Sequence, residues 1–111
     1  MSSKLFVLLE RAERDIEDAA DHYVVTGGIE LALRFAAALE AAFAYLGKHP
    51  DAGSPRYSVE LDLPGLRHWQ LRDFPFLVFY RTQDSHIDVW RVLHAQRDMP
   101  ARLQDDDDGA A

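Results

Sequence analysis

Apolar and polar positions change their period several times along the chain, and each change marks an element. Residues 4–9 form a short apolar run with the strand formers Phe6 and Val7, which predicts a first strand. From Glu10 the apolar positions Ala12, Ile16, Ala19 or Ala20, and Tyr23 recur every three to four residues, while Arg11, Glu13, Arg14, Glu17, Asp18 and Asp21 take the other face. That period is helical. Gly27 and Gly28 end it, because glycine reaches the positive φ of a helix terminus without steric cost. A second helix is expected over about residues 29–47, with Leu31, Phe35, Leu39, Ala42 or Phe43, and Leu46 on one stripe. Ala32, Ala36, Ala37, Ala38, Ala41, Ala42 and Ala44 raise its helix propensity and let another backbone come close, so the two helices are expected to form an antiparallel hairpin.

Two prolines and a glycine within residues 49–55 cannot continue a helix, and a polar connection extends as far as Pro64 and Gly65. Three strand-like segments come next, at 66–71, 76–81 and 86–93, separated by short polar turns at 72–75 and 82–85. Such turns join antiparallel neighbours, so the segments read as a meander. Residues 76–80 are apolar on both faces, as a central strand should be. In the last segment Ile87, Val89, Arg91 and Leu93 alternate with Asp88, Trp90 and Val92. The expected fold class is therefore α+β, strand-helix-helix-strand-strand-strand, with a helical hairpin packed on a small, mainly antiparallel sheet. One domain is expected over residues 1–103, with an acidic flexible tail over 104–111.

Composition narrows the function classes. The 111 residues are 48% hydrophobic and 28% charged, ordinary for a globular domain. With no cysteine, a disulfide framework, a thiolate zinc site and a cysteine nucleophile are all excluded. No apolar run approaches the roughly 18 residues that span a bilayer, so the expected address is the cytoplasm, away from membranes. The net charge of −7 divides unevenly, at −3 over residues 1–49, balanced over 50–104, and −4 in the aspartates at 105–108. An acidic chain lacks the cationic field that general nucleic-acid binding needs, so strong direct binding is not expected. All seven bases of the balanced stretch are nevertheless arginines: Arg56, Arg67, Arg72, Arg81, Arg91, Arg97 and Arg102.

No glycine-rich phosphate loop is present, and His22, His49, His68, His86 and His94 are scattered without the spacing of a metal site. Neither a cofactor nor a metal is expected. Metal-free cleavage of a phosphodiester would need a general base, a general acid and cations for the phosphorane charge. The candidates for that chemistry are His94, Arg97 and Arg81, with Arg91 beside them. The competing reading is that His94 bonds a neighbouring backbone group while Arg97 pairs with Asp98 or with an acid of the first helix. Trp90 and Trp69 are either stacking platforms or core residues.

Several of these residues together resemble a known family. Ala12, Asp15, Ile16 and Tyr23 on the first helix, Ala32, Phe35 and Leu39 on the second, Pro50, Gly53 and Arg56 in the loop, Leu66-Arg67 and Phe79-Tyr80-Arg81 all contribute. The most specific piece is Arg91-Val92-Leu93-His94-Ala95-Gln96-Arg97-Asp98. Together they look like the RelE/ParE superfamily of toxins from bacterial type II toxin-antitoxin (plasmid-stabilisation-type) modules, and within it the ParE branch. The resemblance implies the fold already reached from periodicity. It also implies a cognate ParD-like antitoxin that wraps the toxin in a hetero-oligomer.

The branches differ in target. RelE-like members cleave messenger RNA on the ribosome, whereas ParE-like members stabilise the cleaved-DNA intermediate of DNA gyrase. RelE-like nucleases usually carry an arginine at the start of the central strand and a tyrosine near the carboxy terminus. Here Phe76 comes after Pro75, and no tyrosine occurs after Tyr80. Gyrase inhibition is thus the expected function, with Arg81, Arg91, His94, Arg97 and Trp90 as candidates for contacting target or antitoxin. A ribonuclease using His94, Arg97 and Arg81, or a non-toxic antitoxin-binding homologue, is the alternative.

Overall fold

The computed structural model describes residues 4–99, so the acidic tail expected from Gln104 lies outside the described residues. The elements are β1 (Leu5–Leu8), α1 (Glu10–Lys48), α2 (Arg56–Glu60), β2 (Leu66–Gln70), β3 (Phe76–Thr82) and β4 (His86–His94). α1 is two helical arms joined at Gly28, whose φ of 78° and ψ of 178° break the helical path where the sequence predicts a stop. The Tyr23 and Phe35 rings, one from each arm, lie 5.2 Å apart, which closes the pair into a hairpin.

The four strands form one sheet in the order β1-β4-β3-β2. β1 runs parallel to β4, and the β2–β3 and β3–β4 pairs are antiparallel. The α+β class and the hairpin-on-sheet arrangement are as expected. α1 packs on one face of the sheet, where Ala12, Ala19, Phe35, Leu39 and Ala42 bury against Leu71, Phe76, Val78, Val89 and Val92. The alanines set the spacing. Lacking bulk beyond Cβ, they let the helix backbone sit close over the large side chains of β3.

The opposite face is covered in part by α2, a helical turn within a stretch expected to be an irregular connection. Tyr57, Leu61 and Leu63 from this region pack with Leu66, Leu77, Phe79 and Leu93. Its loop is anchored by Tyr80, whose hydroxyl donates to the Pro50 carbonyl at 2.8 Å and accepts the Gly53 N–H at 2.9 Å. A Cβ at Gly53 would collide with that hydroxyl and with the His68 carbonyl oxygen, so the loop can lie this close only with glycine there.

The strict alternation expected for β4 does not hold. The register slips by one residue between Phe79 and Tyr80, where Tyr80 faces Val89 but Phe79 faces Arg91. This β-bulge gives the strand one extra residue at Trp90 and shifts the later residues of β4 to the opposite faces. Val92 joins the α1-side core and Leu93 the opposite cluster, which reverses the expected pattern.

Candidate functional site

The chemistry-bearing residues of the carboxy-terminal segment divide into a buried bracket and an open turn. The bracket begins where β1 gives way to α1. β1 pairs with β4 only as far as Leu8 and Val89, so the next stretch of β4 has no neighbouring strand on that side. Asp15, on the first arm of α1, takes the strand's place. Its Oδ2 accepts Arg91 Nε at 2.7 Å and the Val92 N–H at 3.0 Å, while Oδ1 accepts an Arg91 terminal nitrogen at 3.0 Å. The Arg91 side chain is only 2% exposed. Such a two-pronged carboxylate pair satisfies charges that burial would otherwise make very costly. Arg91, a candidate contact residue from sequence, is therefore turned inward and holds the helical hairpin to the sheet.

The open turn starts at His94, whose ring lies edge-on to Phe76 at 5.3 Å. His94 Nδ1 accepts the backbone N–H groups of Gln96 and Arg97 at 3.1 and 2.9 Å. Asp98 closes the loop in return, accepting the His94 N–H at 2.8 Å. Arg97 Nε reaches Asp98 Oδ1 at 3.4 Å, and its side chain is 59% exposed. With Nδ1 engaged as an acceptor, a neutral His94 carries its proton on Nε2 and offers a donor, not a base. This matches the competing reading in which His94 serves the backbone and Arg97 pairs with Asp98.

A cleft of about 300 Å³ separates this turn from the first arm of α1, with Asp18, His22, Tyr23, His94 and Arg97 around it. Burial raises the Tyr23 phenol above its ordinary value, and the Arg97 charge partly opposes the shift. Tyr23 is thus a neutral hydroxyl at physiological pH. Among the described residues no group of three or more histidine, aspartate or glutamate side chains is arranged to hold a metal.

Arg81 is elsewhere. It faces Asp88 near the β3–β4 turn, whereas His94 faces Phe76 at the other end of the same pair. Phe76 and Arg81 are five steps apart along β3, roughly 16 Å at the usual rise. Trp90 lies on the α2 side of the sheet, edge-on to Phe79 at 6.0 Å, and is half-buried in the packing there. The structure thus brings His94 and Arg97 together but leaves Arg81, Arg91 and Trp90 each in a different setting.

Comparison with known proteins places this arrangement. The family model described as the ParE toxin of type II toxin-antitoxin system, parDE, matches residues 6–99. The chain belongs to the ParE toxin family. A solved chain of the chromosomal ParDE TA system from P. aeruginosa is similar at 25% identity, with a TM-score of 0.70, over 85% of this chain and 98% of that one. No match is found among curated proteins.

In this ParE-family chain, the functional weight of Asp15 was the hardest to read from sequence. It was visible only as part of the family pattern, although one local signal existed. Asp15 stands on the apolar stripe, three residues after Ala12 and four before Ala19, both buried. A carboxylate there needs a buried cationic partner. Tyr80 likewise stood out only within a motif, and its role as loop anchor depends on a glycine 27 residues earlier.

Proposed function

We propose that this ParE-family protein is the toxin of a ParDE-type module, that it inhibits DNA gyrase by stabilising the cleaved-DNA complex, and that a ParD-like antitoxin neutralises it. The observation that carries the choice of gyrase over RNA cleavage is the dispersal of the cleavage candidates. His94 Nδ1 is occupied by two backbone donors, and Arg81 is across the sheet from it. Phosphodiester cleavage requires base, acid and cation within reach of one phosphate. Arg81 stands too far from His94 for the three candidates to reach one phosphate, and this reading therefore assigns the strand-breaking chemistry to gyrase.

The antitoxin reading draws on exposed apolar side chains. At the tip of the hairpin Val25 is 84% exposed, and Ile29 and Leu33 are each 61% exposed, while Leu5 on the edge strand β1 is 76% exposed. Clustered apolar residues and an uncovered strand edge are features that a partner segment covers. In the segment 91–98, the exposed Arg97 is placed to meet acids of that partner, whereas the buried Arg91 is not.

The test is a supercoiling assay with purified gyrase. Excess toxin should produce linear DNA after denaturation of the enzyme, and prior mixing with antitoxin should suppress it. Unaffected supercoiling with no cleaved product at toxin excess rejects the gyrase reading.

A further inference from the structure

The second arm of α1 carries an exposed ridge at four-residue spacing, Ile29, Leu33, Ala37 and Ala41, graded from large side chains to small ones. Helices pack on one another through rows of this spacing. Beside the alanine end of the ridge a cavity of about 520 Å³ opens toward the β2–β3 turn, with Ala37, Ala38 and Ala41 along one side and Phe74 across from them. A second hollow of about 310 Å³ is formed by Gly27, Glu30, Leu31 and Arg34. Leu31 and Arg34 line both, so the tip of the hairpin and the groove make one continuous surface.

Charge divides along this surface as size does. Arg34 and Arg72 line the groove with Asp73 as the one carboxylate beside them, a local positive excess on a chain of net charge −7. Among the described residues neither arginine has an ion-pair partner, and Glu30 at the tip has none either. The tip therefore offers large apolar side chains and an acid, and the groove offers small ones and cations. A copy of the same arm running in the opposite direction reverses both gradients and brings tip to groove at each end.

We propose that a second copy of the chain occupies this surface in an antiparallel, two-fold pair, with Ile29 and Leu33 of each protomer on the alanines of the other and Glu30 of each beside the other's Arg34 and Arg72. The symmetry makes every contact twice and closes the assembly at two chains. Each groove then holds two guanidiniums and two carboxylates. A contact confined to one helical arm and a turn belongs with the small interfaces, below about 1,200 Å², so the pair is reversible. Any other molecule that covers the hairpin tip competes with it. The inference needs neither the gyrase nor the antitoxin reading.

The experiment is sedimentation equilibrium of the full chain from about 10 μM to about 1 mM, the range in which weak, reversible pairs form. Wild type should pass from monomer to dimer and no further. R34E/R72E and E30R, all changes at exposed positions, should each weaken dimerisation by about tenfold or more, because like charges then face each other. An equimolar mixture of the two variants should recover a 1:1 dimer, since the reversed groove of one meets the reversed tip of the other. Such recovery also shows that both variants are folded. A wild-type chain that stays monomeric throughout would overturn the proposal, as would wild-type dimerisation in either variant or a mixture that fails to pair. Assemblies that grow past the dimer would indicate an open head-to-tail contact and overturn the two-fold pair as well.

Discussion

Arg91 and Arg97 lie on one short segment, yet burial gives them opposite roles. The Arg91 side chain is 2% exposed and bonded to a carboxylate that also holds the Val92 N–H. The Arg97 side chain is 59% exposed and touches Asp98 at 3.4 Å, while Asp98 is already committed to the His94 N–H. Both are arginine-aspartate pairs with carboxylates 13% exposed, but only in the first is the arginine also removed from water. In the buried bracket each partner is obligatory, because losing one strands the other without solvent. In the open turn water already reaches the Arg97 guanidinium and replaces that contact when it is lost. The same motif therefore contains a strut for the fold and, in the proposed reading, a handle for partners.

Substitutions separate the two regions, beginning with the largest effect. Replacing Asp15→Ala takes the two-pronged carboxylate away from the buried Arg91 guanidinium, and should lower unfolding stability by about 3–5 kcal/mol in a urea titration. The double variant D15L/R91M should recover much of that loss, since both charges are gone. A loss under about 1 kcal/mol for Asp15→Ala would dissolve the contrast with Arg97. Next in size is Tyr80→Phe, which removes both hydroxyl bonds to the loop at Pro50 and Gly53. A cost of about 1–3 kcal/mol is expected, measured the same way, with faster amide exchange at Gly53.

The pH dependence of His68 is smaller and has a defined sign. Burial, aided by the Arg56 charge, lowers its pKa from the ordinary 6.5, and its buried Nδ1 has no hydrogen-bond partner among the described residues. The unfolded chain therefore takes up this proton first as pH falls. Stability should be level above about pH 7 and decline through 6.5 toward the lower folded value. His68→Phe should flatten the difference in unfolding midpoint between about pH 7.5 and about pH 5.5. An unchanged slope in that variant would place the pH sensitivity elsewhere. The smallest effect belongs to Arg97→Ala, which should alter stability by less than about 0.5 kcal/mol while weakening antitoxin capture in a binding titration.

Much of the fold was legible because it rests on periodicity. The change from a strand run to the helical spacing of Ala12, Ile16 and Ala19, the break at Gly28, and the three apolar segments after Gly65 all correspond to observed elements. α2 escaped because the five residues of Arg56–Glu60 are barely more than one turn, too few for a period to register. The face of Leu93 escaped for a different reason. A β-bulge inserts one residue without any compositional mark, so alternation read past Trp90 has the wrong parity. The site was less legible than the fold. His94 and Arg97 are close in both sequence and space, whereas the Asp15–Arg91 bracket joins residues 76 positions apart. Arg81, which sequence places in the same meander as His94, is separated from it by the antiparallel register.

The proposed gyrase reading requires that this ParE-family chain act by binding, with the strand cleavage performed by gyrase. The most direct measurement incubates wild-type protein and a His94→Ala variant separately with gyrase plus plasmid and with a translating extract. Both proteins should trap cleaved plasmid and leave messenger RNA intact, because the His94 ring serves the turn and not a reaction. Transcripts cut by wild type and spared by His94→Ala, with gyrase unaffected by either, would contradict it.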